Sequence, residues 1–498
     1  MHRIFFSTLI AVMLILVVLP TMASAESVID RFLTGGHISF QFTDDSITDT
    51  TKFEAELELR LRHEDFTAFI RGTNDRPLTF QTNDFEVEKR GFNFELNDDW
   101  EISGGDYSLI FARGTVLNAV ENRDVDRDAQ LDGVLVEGDL GFADLTAFWG
   151  THKSDNFEYY LSGVNTNEGG PSDELMGGRL EFDFNDLDLG ISYVDAEQTI
   201  WDETQSTVMT EIDASWSIDN VDLYYETVWF NRDEPEGFEE SLDGRAQVAE
   251  ILYGESGFSI SGTWVRYEDA KFDYGTAPSL RRPDIEEADA RADDETGYRF
   301  DMRLNPDSWN DHSLRVLYAD LNGIENENFP FKNYFIEWEF PINDDFDGSL
   351  SYDRIKGFQL NYGGIEGTDT SYRATIDGPF PFGGTFHFFG RYRLLKNSAG
   401  DDDEVELGLD WNISPDFTLG FFRETSTRPM EPPVPGLIDI PDESPGQWNL
   451  MFVRWAPDPW TQVELKLGSQ RGGFTCAGGT CAQVPPFKGV LFTYYRNF

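Results

Sequence analysis

Lys52-Phe53-Glu54-Ala55-Glu56-Leu57-Glu58-Leu59-Arg60-Leu61-Arg62 alternates without a break. In an extended chain Phe53, Ala55, Leu57, Leu59 and Leu61 fall on one face and Glu54, Glu56, Glu58, Arg60 and Arg62 on the other, because successive side chains of a strand point to opposite sides. One face suits hydrocarbon and the other water. The pattern recurs from Glu404 to Trp411, where Val405, Leu407, Leu409 and Trp411 oppose Glu404, Glu406, Gly408 and Asp410. It recurs again at Tyr334, Ile336, Trp338 and Phe340. Period alone fits both a soluble sandwich, whose apolar face is a packed core, and a membrane barrel, whose apolar face meets lipid. The two ends of the chain and its connections separate them.

At the N-terminus Arg3 precedes the apolar run Ile4 to Leu19, which Pro20 closes before Ala23-Ser24-Ala25. This is the layout of a secretory signal peptide, residues 1–25, cleaved before Glu26; an uncleaved anchor helix would need a longer run. No later stretch approaches the roughly 20 apolar residues of a spanning helix, so any membrane span must be β. At the other end Val490, Phe492 and Tyr494 keep phase with the terminal Phe498. This resembles the C-terminal signal by which the barrel-assembly machinery recognises bacterial outer-membrane barrels. Arg496 departs from it, since an aromatic is usual there.

Short links fall at 63–65, 97–99, 185–186, 218–220, 254–257, 341–345, 414–416 and 456–459. Long ones lie between them, at 74–84, 107–130, 153–173, 231–243, 268–294, 424–446 and 469–487. An even-stranded barrel with both ends in the periplasm needs tight turns on that side and longer loops outside. Aromatic residues make up 14% of the chain, with Trp100, Trp149, Trp229, Trp264, Trp338, Trp411, Trp455 and Trp460 near strand ends, at the level of headgroup girdles. No linker divides the strands, and they begin too early for the globular plug of a TonB-dependent transporter. The expected fold is therefore all-β: residues 26–498 form a single transmembrane antiparallel β-barrel of about 24 strands, an even number between about 20 and 24, in the bacterial outer membrane. Outer-membrane lipid and lipopolysaccharide are its expected surroundings.

With 92 Asp and Glu against 38 Lys and Arg, the formal charge is −54, and loss of Arg3 with the leader removes one more cation. Such a field repels anionic polymers and argues against nucleic-acid binding. The acid belongs either to a cation-favouring lumen or to turns and loops that bind divalent ions and lipopolysaccharide or adapt the surface to salt. The runs 401–404, 344–347 and 284–295 read as lying outside strands, which favours the second. The phase assigns to the lumen Glu54, Glu56, Glu58, Arg60, Arg62, Glu181, Asp183, Arg299, Arg303, Arg373, His387, Arg391, Arg393, Glu404, Glu406 and Lys466. Arginine clusters on one wall facing carboxylates on the other would orient charged or dipolar solutes; the same charges, paired, would brace a wide wall.

The segment Tyr107 to Gln130 carries Arg113, Asn118, Glu121, Arg123 and Arg127 around the apolar Val116, Leu117, Ala119 and Val120. Apolar residues in an external loop are better satisfied folded into the mouth, so a constriction loop is expected here. Asp124, Asp126, Asp128 and Asp132 resemble a calcium loop, but Ala129 stands where the turn glycine belongs and Leu135 where the closing glutamate belongs. No metal site is assigned. Cys476 and Cys481 are the only cysteines; Gly478-Gly479 lets the chain turn between them, and in an oxidising compartment an intraloop disulfide follows. The proline-rich stretch 429–445 reads as a stiffened loop. Six histidines sit in no nucleophile, metal or haem motif, so neither catalysis nor a cofactor is expected.

Three stretches, Gly105-Asp106-Tyr107 through Arg113-Gly114-Thr115-Val116-Leu117, Leu131-Asp132-Gly133-Val134 with Trp149-Gly150, and Gly468 to Gly473 through Cys476, Cys481 and Pro485 to Val490, resemble a family of bacterial outer-membrane proteins of unknown function. The resemblance implies a barrel and assigns no activity. Two functions stay in view. The first is a porin-like channel for small hydrophilic solutes or ions. The second is a scaffold or sleeve that houses a protein partner in its lumen or exports a polymer.

Overall fold

The alternating run occupies strand Thr50–His63, which pairs antiparallel with Leu33–Asp45 on one side and Phe66–Pro77 on the other. The computed structural model describes residues 33–46, 50–63, 65–77, 86–122, 127–153, 172–200, 203–233, 243–270, 272, 274–275, 280, 294–324, 331–358, 366–397, 400–427, 446–471, 473–477, 480–484 and 487–498. Across them the pairing continues strand by strand into a 24-stranded antiparallel sheet. The last strand, Phe487–Asn497, pairs with the first from His37↔Asn497 to Asp45↔Gly489. The sheet is closed, and closure removes the edges through which an open sheet would recruit other chains. Among the described residues the 3-10 turn Asp307–Trp309 is the only helical element, and no helix is long and apolar enough to cross a membrane.

The first strand meets its two neighbours at glycines, one across the seam and one on its other side. A Cβ on Gly489 would lie 1.8 Å from the Asp44 carbonyl oxygen, and one on Gly36 would lie 2.2 Å from that of Glu58. Phe498 fastens the end: its amide donates to the Gly36 carbonyl at 3.0 Å, and the Gly36 amide donates back at 2.9 Å. Phe492 stands opposite Phe42 and Tyr494 opposite Phe40, with the Tyr494 and Phe40 rings 6.1 Å apart; Val490 stands opposite Asp44.

One end of the barrel carries tight turns. Asn185-Asp186 joins the pair Phe184↔Leu187, Asp219-Asn220 joins Ile218↔Val221, and Ser256-Gly257 joins Glu255↔Phe258. Each turn contains a left-handed residue, Asn185 at φ 64°, Asp219 at φ 50° and Gly257 at φ 75°, a conformation that Asn, Asp and Gly tolerate better than other residues. The long links emerge at the opposite end. Large apolar side chains cover the outside, with exposed Trp216, Trp338 and Trp455 toward the turn end and Trp149, Trp229 and Trp264 toward the loop end. Two aromatic girdles around an apolar band are the membrane-facing pattern of a transmembrane barrel.

One expectation is corrected. Residues 401–404 belong to strand Gly400–Ser414, Asp347 to Phe346–Phe358, and Asp294 and Glu295 to Asp294–Leu304. Strands of 13 and 15 residues overrun the roughly 10 needed to cross a bilayer, so acid at their ends stays on the ladder beyond the hydrocarbon. The expected signal peptide, the stretch 429–445, Arg123, Asp124 and Asp126 lie outside the described residues. Arg127, Cys476 and Cys481 are described in their backbone; Cys476 pairs directly with Cys481 in the short ladder Gly473–Ala477 with Thr480–Val484.

Candidate functional site

After strand Trp100–Tyr107 the chain turns into a hairpin, with Leu109–Ile110 laddered on Asn118–Ala119, before it rejoins the wall at Leu131–Asp139. Its tip is tightly wound: the Phe111 amide donates to the Leu117 carbonyl at 3.0 Å and the Gly114 amide to the Phe111 carbonyl at 2.8 Å. Phe111, Thr115, Val116 and Leu117 are buried, Val116 and Leu117 completely. Phe111 meets Phe148 edge to face at 5.6 Å. Arg113 bonds Glu250 and lies 3.7 Å above the Tyr224 ring, while Tyr224 donates to Glu226 at 2.8 Å. At the other edge Glu121 accepts from Arg71 at 2.6 Å and pairs with Lys89 at 3.4 Å; Arg71 also holds Glu58 through Nε and Nη2 at 3.0 and 2.8 Å.

These contacts identify the inner face. Arg113 reaches strand Gly244–Glu255, while Glu121 reaches Phe66–Pro77 and Glu86–Asn97, and a segment that touches walls so far apart around a closed sheet runs through its interior. From Glu58↔Arg71 the registers put Glu54, Glu56, Arg60 and Arg62 on the same face. Glu181 and Asp183, Arg299 and Arg303, and Arg373, His387, Arg391 and Arg393 share it, as do Glu404, Glu406 and Lys466.

Most of these charges are paired. Arg393 binds Asp369 at 2.6 Å and Glu404 at 3.4 Å, and Arg391 binds Glu406. Arg60 binds Glu58 at 2.6 Å, His387 Asp377 at 2.6 Å, and Lys466 Glu464 at 3.2 Å. Arg471, the first residue beyond strand Thr461–Gln470, reaches back inside to Glu404 and to Glu424 at 3.0 Å. Arg179 joins Asp213 at 2.7 Å and Glu181 at 2.9 Å. At the turn end, by contrast, acids stand directly opposite acids on the inner face: Glu95↔Glu101, Glu101↔Glu137, Asp139↔Asp144, Asp144↔Glu181 and Asp183↔Asp188. Like charges in that position destabilise a ladder, so this arc costs the fold something.

A second inward segment went unread in the sequence. Phe272 packs against Phe230 at 5.5 Å and Tyr267 at 5.2 Å, Tyr274 donates to Asp173 at 3.1 Å, and its carbonyl accepts from the Asn118 amide at 2.8 Å. Gly275 lies so close that a Cβ would sit 2.0 Å from the Thr115 carbonyl oxygen. The aromatic residues of the link 268–294 were the available signal, by the same reasoning that singled out Val116 and Leu117. Both segments join one apolar cluster with Leu175, Val194, Val228, Val248, Val265 and Phe335. Among the described residues, no strand from Glu366–Pro379 round to Thr50–His63 contributes to it.

No family model and no curated protein matches the chain, and the resemblance of its three quoted stretches rests on those residues alone. Solved structures do match in fold. An E. coli P pilus tip assembly intermediate, PapC-PapD-PapK-PapG, aligns with TM-score 0.52 and 10% identity over 95% of this chain and 62% of that one. The P pilus usher PapC translocation pore gives 0.45 and 9% over 93% and 99%, and OccK11 of Pseudomonas aeruginosa gives 0.37 and 12% over 73% and 95%. The likeness is one of architecture: this chain has the fold of a large outer-membrane β-barrel.

Proposed function

We propose that the chain is a non-catalytic, porin-like channel of the bacterial outer membrane, set in lipid and lipopolysaccharide, that passes small hydrophilic solutes or ions by diffusion. The observation that carries the reading is the division of the inner wall. The hairpin that follows Tyr107 and the segment with Phe272 and Tyr274 pack on one side, while the strands from Glu366–Pro379 to Thr50–His63 stay out of that apolar cluster and line the interior with charged side chains, some accessible, as Arg373, Arg60 and Arg454 are, and others, such as Glu58, Arg393 and Glu404, buried in ion pairs. The hairpin acts as a constriction that narrows the passage, and the acidic arc at the turn end raises the local concentration of cations. The test is single-channel conductance of the purified barrel in a planar bilayer, with reversal potentials in a salt gradient. Steady ohmic steps with a cation-favouring reversal support the channel. Silence from a folded barrel, shown by heat-modifiable migration, refutes it in favour of a sleeve for a luminal protein partner.

A further inference from the structure

Arg62, Arg303 and Arg373 are inner-face arginines that make no ion pair among the described residues. Arg62 and Arg303 each stand one residue from the end of their strand, at the turn-end rim. Arg373 is different: it lies at mid-strand in Glu366–Pro379, exposed, on the half of the wall that the apolar cluster leaves bare. Its neighbours on the inner face are hydroxyls. Ser351 is directly opposite on one side, Ser371 and Thr375 flank it along the strand, and Ser349 bonds Thr375 at 2.7 Å. On the other side Arg391 and Arg393 are occupied by carboxylates.

Beside the guanidinium lies an apolar platform. Arg373 sits 5.4 Å from the Phe389 ring centre, and that ring is laid flat along the wall over Gly408, where a Cβ would come within 2.0 Å of it. Phe422 continues the surface, its ring 6.2 Å from that of Phe389. A guanidinium cannot give up its proton and presents a planar fork that a carboxylate meets with two parallel hydrogen bonds. Nearby hydroxyls can donate to the same anion, and the phenyl ring suits a flat apolar body. A phosphate dianion would pay twice the Coulomb cost of a monocarboxylate in an acidic lumen. The acidic arc does not cancel the site. Twenty-four strands spaced about 4.8 Å apart and tilted about 40° make a barrel about 45 Å across, and the arc lies about half-way round it, several screening lengths of roughly 8 Å away.

We propose that Arg373, with Ser351, Ser371, Thr375 and Phe389, forms a luminal binding site for monocarboxylate solutes that carry a flat apolar body. The inference rests on the channel reading and names its solute class. Benzoate is the probe, with benzyl alcohol and acetate supplying the ring and the carboxylate separately. In a bilayer, benzoate at millimolar concentration should interrupt single-channel current, while benzyl alcohol and acetate at the same concentration should do so at least tenfold less. R373A should weaken the block roughly tenfold or more, and R373K should weaken it less, because lysine keeps the charge and loses the fork. Heat-modifiable migration shows that each variant has folded. A conducting barrel that benzoate does not block, or blocks equally in R373A, overturns the site and leaves the channel standing. If the folded barrel does not conduct, the channel reading falls, and equilibrium benzoate binding to the detergent-solubilised barrel decides the site: binding lost in R373A upholds it, and no binding overturns it.

Discussion

Leu117→Asp should release the hairpin from the wall, whereas Arg113→Ala should leave it docked. Phe111, Val116 and Leu117 are buried at the hairpin tip, and each such side chain is worth about 2 kcal/mol by its apolar area, together about 6 kcal/mol. Arg113 contributes one charge-assisted bond to Glu250 and one ring contact to Tyr224; with its side chain 42% exposed, water discounts both to about 1.5 kcal/mol in all. Removing Arg113 therefore shifts docking roughly tenfold and leaves most of it intact. Aspartate at position 117 forfeits about 2 kcal/mol of burial and adds several more for an unpaired carboxylate in a dry cluster, enough to offset the remaining contacts. Trypsin reads the outcome at Arg113, whose peptide bond is protected while the tip is docked, and single-channel current reads it as an open pathway. Leu117→Asp should be cut at Arg113 and conduct more; Arg113→Ala should keep the wild-type conductance with added flicker. If Arg113→Ala raises conductance as much as Leu117→Asp, or if Leu117→Asp stays protected and unchanged, apolar packing does not hold the hairpin.

Three further outcomes are expected. Arg71→Ala removes the cation that Glu58 and Glu121 share, but Arg60 and Lys89 remain beside them, so the loss should be about 2 kcal/mol, below that of a fully stranded buried charge, and visible as a lower urea midpoint for unfolding in detergent; a midpoint within error of wild type would dismiss the network as a brace. Neutralising the turn-end arc with Glu101→Gln, Glu137→Gln and Asp183→Asn should reduce cation selectivity, more at low salt than at high, and reversal potentials that ignore both the substitutions and the salt would show that the arc does not face the ion path. Because Cys476 stands directly opposite Cys481 in its ladder, protein made with its leader should show no thiol that alkylates before reduction and two afterwards, a result that a mass measurement decides.

The strands were legible because each wall residue answers to one of two solvents. Lipid selects Leu57, Leu59 and Leu61, water selects Glu56, Glu58 and Arg60, and a period of two follows with no help from tertiary context. The hairpin was legible for a related reason, since Val116 and Leu117 in a link demand a dry partner. What sequence could not supply was that partner. Glu250 and Tyr224 lie more than 100 positions from Arg113 and meet it only because the sheet closes. Nor could alternation tell a strand end from a loop, which is why residues 401–404 were misplaced: beyond the hydrocarbon both faces of a strand are wet, and acid marks it as readily as a turn.

The width of the barrel bears on whether the docked segments close it. Chain layers pack about 10 Å apart, so the described residues of the hairpin and of the segment beside it, lying on one wall, take up less than half of an interior that is about 45 Å between backbone walls. The charge pattern agrees with that geometry. The strands from Glu366–Pro379 round to Thr50–His63 carry Glu54, Arg60, Arg373, His387, Asp410, Arg454 and Lys466 on their inner face, all of them at least partly accessible, beside the buried Leu395, Trp448 and Leu450. Paired arginines and carboxylates keep such a wall rigid while leaving it wet. On the channel reading the passage lies between the apolar hairpin on one side and this charged wall on the other, and Arg373 stands on the wall that borders it.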